Sequence, residues 1–325
     1  MGKDIEVMIP FYRPPKNLAI EELLPDWAQI YDCGMLSNSE NCKQLEERIK
    51  VIHKCDHVFS CGSATSGLWI LLNALKPKHI AMSAFTWKSV EPVTVFYPRT
   101  FMDISRSTWL PNIFSIASMR HVNIDTFLIQ HTFGSICKLE VDVSEKIIHD
   151  AAYSLGLSFP VNDGAVISMS PTKTVTAAEG GLILVNDDKV ANMIEELRDT
   201  CSRLSEFNAV LALHYLEKLP EILAAKKEIC EYYQNELPYG HQAIPVATTY
   251  GYYGMLLPEG LLNERFREKG KVFSINGVEC RVRYEPLIDG LPNTDYVAKH
   301  VLCLPCYLGV NKEEVVERII EWPHI

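Results

Sequence analysis

The chain has 325 residues, 47% of them hydrophobic, and its 31 Lys+Arg against 41 Asp+Glu give a formal charge of −10. This length and apolar content suffice for a buried core spread over two domains and exclude a disordered chain. The acidic balance leaves no electrostatic footprint for a phosphate backbone, which excludes nucleic acid as a partner while remaining compatible with a local basic pocket for a small anion.

The opening segment MGKDIEVMIPFYRPP carries no long apolar core, and no window reaches the roughly 18 apolar residues of a membrane helix, so a cytoplasmic address without membrane contact is expected. Residues 39–54 place Leu45, Ile49 and Ile52 on one helical face, and HVFSC follows as a short strand. A second helix is expected over Gly67 to Leu75, entered from the small-residue turn Gly62-Ser63-Ala64-Thr65-Ser66. HIAMSAF, RTFMDIS, FLIQHTFG, KIIHDAA and GAVISMS then read as short strands bounded by polar or turn residues. Near-continuous apolar strands separated by helices or loops predict an α/β domain with a mostly parallel sheet covered on both faces.

From about residue 188 long amphipathic helices take over. Val190, Met193, Ile194 and Leu197 share one face, and a single run from Ser205 to about Leu237 carries Leu211, Tyr215, Leu219, Ile222 and Ile229. The tail alternates short strands (GYYGMLL, GVECRVRYEPL, KHVLCLP) with a final helix that Asn311 caps ahead of Val315, Val316, Ile319 and Ile320. The expected division is a large α/β domain over 1–204, including an N-terminal arm, and a smaller α+β domain over 205–325 that includes the long linking helix.

The ten cysteines are scattered singly and read as reduced thiols. His53, Cys55, His57 and Cys61, and the Cys303-Leu304-Pro305-Cys306 motif, have no second ligand pair at zinc spacing, so they read as packing residues and no metal is expected.

Three separated segments carry chemistry. In Ser168-Met169-Ser170-Pro171-Thr172-Lys173, a lysine just past a buried strand can be desolvated toward the lower pKa that an amine nucleophile needs; the ordinary alternative is a solvated lysine. Asp150 closes the apolar strand of KIIHDAAY in the middle of the sheet, where ligands of parallel sheets collect, although Asp also serves as a helix N-cap. The turn Gly62 to Gly67 opens a helix whose amides and hydroxyls suit a phosphate. Trp87, beyond the next strand, can cover a planar ring or pack in a core. Arg281 and Arg283 alternate on one strand face near Tyr284, where one of them could meet a substrate carboxylate or pyrophosphate or both could face solvent.

In this order, phosphate turn, aromatic, strand-end Asp, then Ser-x-x-x-x-Lys followed by Glu179-Gly180-Gly181, the chain resembles the DegT/DnrJ/EryC1/StrS family of pyridoxal-phosphate aminotransferases acting on nucleotide-linked keto sugars. The blocks HDAAYSLG and SPTK…EGG carry the resemblance most specifically, and it extends from IPFYRPP to VLCLPCYLGVNKEEV. It implies fold type I, pyridoxal 5′-phosphate as cofactor, and a homodimer with the active site at the subunit interface. It further implies that Lys173 forms the internal aldimine and shuttles the proton, that Asp150 pairs with the pyridine nitrogen, that Trp87 stacks on the ring, and that Ala64, Thr65 and Ser168 hold the phosphate. Tyr153 stands where the family usually has Gln or His against the cofactor's ring oxygen, and Cys201 stands where an Asn usually precedes the counterpart of Arg203. The segments between Asp103 and His131 and before Lys146 are short for the family. Relatives that dehydrate replace the lysine with histidine, so Lys173 favours transamination, with glutamate as the expected donor and a deoxy sugar of O-antigen or antibiotic synthesis as the expected acceptor. A cyclitol or other small ketone, or a non-catalytic binding role, are the alternatives.

Overall fold

The computed structural model describes residues 8–15, 18–112, 115, 123–138, 144–258 and 273–322. Residues 113–114 and 116–122 of the segment read as short before His131, and 139–143 of the one before Lys146, lie outside them.

The central sheet has seven strands: β1 (His57–Cys61), β2 (Ile80–Ser83), β3 (Arg99–Met102), β4 (Thr126–Gln130), β5 (Lys146–Asp150), β6 (Gly164–Ser168) and β7 (Gly181–Val185), in the order β1-β7-β6-β5-β4-β2-β3. β7 runs antiparallel to both neighbours and the other six strands are mutually parallel. β5 is fourth of seven, so Asp150 ends the middle strand, paired through Gln130 of β4 and Val166 of β6. The sequence reading does not separate β7 from the glycine pair before it, although GLILV is as apolar as the other strands.

Successive side chains of a strand point to opposite faces, and both faces here are covered. Ala165, Ile167, Leu182 and Leu184 pack on one side with Leu45 and Ile49 of the helix Glu40–His53 and with Ala209 and Leu213 of the helix Glu206–Glu217. Val166, Ile183 and Val185 point the other way, onto Leu68, Leu71 and Leu72 of the helix Ala64–Leu75 and Ile194 of the helix Asp188–Cys201.

Two helix boundaries differ from expectation. The helix expected from Gly67 begins at Ala64, because the Ser63 hydroxyl accepts from the Ser66 amide (3.1 Å) and caps it three residues earlier. The single run expected over Ser205 to Leu237 is two helices, Glu206–Glu217 and Leu219–Glu236. Pro220, in the first turn of the second, has no N–H to continue the ladder of the first. That second helix links the cores: Ile222 packs beneath the large sheet, while Ile229, Cys230 and Tyr233 pack with Tyr253, Met255, Leu302 and Leu304 of a smaller antiparallel sheet. The smaller sheet has β8 (Gly240–His241), β9 (Tyr253–Leu256) and β12 (Val301–Leu304), with a hairpin of β10 (Phe273–Ile275) and β11 (Val278–Cys280) beside it. Arg281 joins hairpin to sheet by exchanging two backbone hydrogen bonds with Cys303, and Ile9 pairs in parallel with Val278. The final helix, Lys312–Ile320, is capped by Asn311, whose side chain accepts from the Glu314 amide (3.1 Å).

Of the histidines and cysteines in the sequence motifs, His57 faces Asp188 (2.8 Å), Cys61 donates to the Ser63 carbonyl, and the buried His53 ring packs against Phe159. Among the described residues no helix is long and apolar enough to cross a membrane.

Candidate active site

A cavity of about 400 Å³ opens at the carboxyl ends of β4, β5 and β6. All seven positions singled out in the sequence line it: Ala64, Thr65, Trp87, Asp150, Tyr153, Ser168 and Lys173. They converge because parallel strands in register end together, and the loops after them face the same space.

Lys173 follows the turn Ser170–Lys173, closed by its amide donating to the Ser170 carbonyl (3.0 Å). Its Nζ lies 3.1 Å from the centre of the Tyr153 ring. Burial holds the ammonium form well below lysine's ordinary range; Asp150 opposes the shift, and the charges of Arg283 and Lys226 add to it. The side chain is therefore biased toward the neutral amine. The Asp150 carboxyl is pushed up by the same burial, countered by Lys173 and by the Ala152 amide, which donates to Oδ1 (3.3 Å). No helix follows β5, so Asp150 is not the helix cap that was its ordinary alternative.

At one end of the cavity the amides of Ala64 and Thr65, the first two of their helix, have no intrahelical acceptor, and the positive end of the helix dipole adds to them. Gly181 of β7 makes this approach possible, since a Cβ there would lie 2.4 Å from the Ala64 nitrogen and from the Ser63 carbonyl carbon. Hydroxyls complete the end: Thr65 Oγ1 donates to Ser89 Oγ (3.1 Å), and Ser168 and Ser170 lie 3.4 Å apart. Trp87 is 40% exposed and belongs to the cavity wall rather than to a core.

Tyr153 does more than its sequence position suggests. Its ring supports Lys173 and packs on Tyr252 (4.9 Å between centroids), and its hydroxyl reaches Tyr252 and Thr172. Gly134 and Gly251 leave room for it, since a Cβ on Gly251 would meet the ring at 2.5 Å. Cys201 and Arg203 are both exposed and do not line the cavity.

Residues that the sequence reading passed over also line the wall: Gln130 at the end of β4, His131 and Thr132 just after it, and Tyr252 and Tyr284 from the C-terminal part. His131 lies within HTFG, a block recognised as a whole without its histidine being singled out. Its Nε2 is 3.0 Å from His149 Nδ1, His149 Nε2 is 2.9 Å from Asn162 Oδ1, and Ser154 Oγ lies 3.2 Å from His131 Nδ1. With Asn162 Oδ1 as acceptor, each ring donates from Nε2 and accepts at Nδ1, an order that needs two neutral imidazoles. Burial lowers both pKa values, and His149 lowers that of His131 further. Of the two arginines proposed from strand alternation, Arg281 pairs with Glu279 (2.6 Å) outside the cavity and Arg283 lines it.

The donor set fits pyridoxal 5′-phosphate: unpaired helix-start amides and hydroxyls for a phosphate, an exposed flat aromatic, a buried carboxylate and a neutral amine all face one cavity. Comparisons with known proteins agree. The sequence model of the DegT/DnrJ/EryC1/StrS aminotransferase family matches residues 18–322. Among solved structures, Helicobacter pylori PseC, described as an aminotransferase involved in the biosynthesis of pseudoaminic acid, is similar with TM-score 0.85 and 15% identity, over 98% of this chain and 100% of that one. DesI, solved in the presence of its TDP-sugar product, gives TM-score 0.84 and 19% identity over 98% and 94% of the two chains. A mutant of ColD, a GDP-4-keto-6-deoxymannose-3-dehydratase with GDP-perosamine bound, gives TM-score 0.80 and 13% identity over 95% and 99%.

Proposed function

From the premise that this chain belongs to the DegT/DnrJ/EryC1/StrS family and is a pyridoxal-phosphate-dependent aminotransferase, we propose that it moves an amino group from glutamate to the keto group of a nucleotide-linked deoxy sugar, acting as a cytoplasmic homodimer in the synthesis of a surface polysaccharide or glycosylated natural product. The observation that carries this reading is the Lys173 amine, buried 3.1 Å over the Tyr153 ring in the cavity that Asp150 and the amides of Ala64 and Thr65 also face. The choice of a nucleotide sugar is supported by what DesI and ColD are described as binding.

Pyridoxal phosphate, when bound, supplies an electrophilic carbon and an electron-withdrawing ring that stabilises a carbanion. The Ala64 and Thr65 amides and the Ser168 hydroxyl would hold its phosphate, and Trp87 its ring. Asp150, on the shielded wall of the cavity, would hold a proton on the pyridine nitrogen. Lys173, biased to the neutral form by burial, would accept the proton from the donor's α-carbon at Nζ and give it up to the cofactor's C4′ carbon within the same half-reaction, the reverse transfer serving the second half. The Tyr153 ring face under Nζ stabilises the ammonium formed at that moment without providing a competing base. A histidine in place of Lys173 would lack this primary amine, which favours transamination over the dehydration attributed to ColD.

The test is spectroscopic. Protein mixed with pyridoxal phosphate develops a visible absorption band that Lys173→Ala abolishes, glutamate bleaches it, and a nucleotide keto sugar restores it while gaining an amino group detectable by mass. Absence of the band sinks the catalytic reading. A band that glutamate leaves intact removes the donor assignment, and restoration by a cyclitol ketone but by no nucleotide sugar removes the acceptor assignment.

A further inference from the structure

Resting on the aminotransferase reading, we propose that Arg283 binds the α-carboxylate of the amino donor, and so sets the site's preference for an amino acid over a simple amine. The guanidinium carbon lies 4.7 Å over the Trp87 ring and 5.8 Å from the centre of the Tyr252 ring, on the wall of the cavity. Its Nε is buried and has no hydrogen-bond partner, and among the described residues its side chain makes no ion pair. Three other shielded arginines are compensated by carboxylates: Arg198 pairs with Glu46 and Asp199, Arg318 with Glu314, and Arg281, two residues before Arg283, with Glu279. A shielded cation without a counter-charge is unfavourable unless an anion completes it, and the guanidinium fork matches a carboxylate through two parallel hydrogen bonds. Stacking on Trp87 gives the charge a resting place when no anion is present, as in the half of the cycle in which the keto sugar enters.

The position selects the anion. Arg283 neighbours Tyr252, Tyr252 packs at 4.9 Å on Tyr153, and Lys173 Nζ lies 3.1 Å over Tyr153, so the guanidinium and the amine that moves the proton line one cavity with these two packed rings between them. The field of Arg283 reaches Lys173 strongly enough to lower its pKa further. An amino acid's carboxylate is bonded directly to the carbon that gives up that proton and so stays within the cavity that Arg283 and Lys173 share. The diphosphate of a nucleotide sugar is separated from its keto carbon by the sugar ring, and the cofactor's phosphate has its own place at the Ala64–Thr65 helix start.

The experiment compares native protein with Arg283→Gln and Arg283→Lys in the two half-reactions, each loaded with pyridoxal phosphate and checked for the visible band as evidence of folding. L-Glutamate and 4-aminobutyrate, which lacks the α-carboxylate, serve as donors, and 2-oxoglutarate binding is measured separately by calorimetry. Arg283→Gln is expected to raise the half-saturating glutamate concentration roughly 10- to 100-fold. The half-saturating concentrations of 4-aminobutyrate and of the keto sugar should change far less than that of glutamate, 2-oxoglutarate binding should be lost, and Arg283→Lys should recover part of both the glutamate saturation and the 2-oxoglutarate binding. Unchanged glutamate saturation and unchanged 2-oxoglutarate binding in Arg283→Gln overturn the assignment, as does a defect confined to the keto-sugar half-reaction. If native protein converts no donor, the functional reading fails on its own, and the calorimetric arm still decides whether Arg283 holds a carboxylate.

Discussion

At Lys173 the decisive quantity is the free energy of charging an amine that its surroundings partly shield from water. The ordinary lysine value is 10.5 and burial holds the folded value well below it. Between those two values the unfolded chain binds a proton that the folded chain does not, so folded stability falls as pH drops through that window and the deficit is absent above it. In the window Lys173 is neutral and makes no ion pair with Asp150 that a substitution could break. Lys173→Met is therefore expected to raise the melting temperature of the cofactor-free protein by a few degrees at pH 8–9, with the gain shrinking toward zero near pH 11. A gain independent of pH would show that packing, rather than the buried amine, sets the difference. His131 illustrates what residue-by-residue reading misses: its neutral, hydrogen-bonded state follows from His149, 18 positions away, and from Asn162 beyond it.

At the scale of the element, two structural contacts decide where helices begin. The helix Glu40–His53 is capped from far along the chain: Glu206 accepts from the amides of Ser39 (2.7 Å), Asn41 (2.7 Å) and Cys42 (3.2 Å) and from the Asn41 side chain. Burial alone would raise the Glu206 pKa, but these donors win and lower it. A carboxylate held below its ordinary range stabilises the fold above that range and loses its effect as pH falls through its folded value. Glu206→Gln should cost about 1.5–3 kcal/mol at pH 7, measured by urea unfolding, with the difference narrowing below pH 4. An undiminished difference at low pH would assign the loss to shape. Gly181 is the second contact, because any side chain there meets the Ala64 nitrogen at 2.4 Å. Gly181→Ala is expected to displace the helix start and weaken pyridoxal-phosphate binding more than tenfold by fluorescence titration, and unaltered affinity would place the phosphate elsewhere.

At the scale of the whole molecule, the cavity is built from both parts of the chain. Tyr252, Arg283 and Tyr284 close a site whose floor is the end of the large sheet, while the N-terminal segment pairs at Ile9 with the hairpin and packs Phe11 at 5.8 Å from Tyr252. Large apolar side chains stand exposed elsewhere: Tyr31, Met35 and Leu36 on one stretch, Val95 and Phe96 on another, the last 79% accessible. Apolar surface of this kind supports the proposed homodimer. Light scattering should give a mass near twice 36.8 kDa, and Phe96→Asp should shift the population toward monomer; a native monomer at micromolar concentration would remove the dimer from the proposal.

The sequence by itself determined the alternation of buried strands and amphipathic helices, and it placed Asp150, Lys173 and the turn before Ala64 in the order that the cavity brings together. These were legible because burial period and strand-end chemistry are local properties of the chain. Tertiary structure alone decided which arginine faces the cavity, that Tyr153 lies under Lys173, that β7 runs against its neighbours, and that Glu206 caps a helix about 165 residues away. Each of these depends on contacts between segments remote in sequence, and no local pattern encodes the partner. Arg281 and Arg283 are expected on one strand face, but the strand ends at Cys280 and only Arg281 bridges to Cys303, so Arg281 meets Glu279 while Arg283 turns to the Trp87 ring in the site.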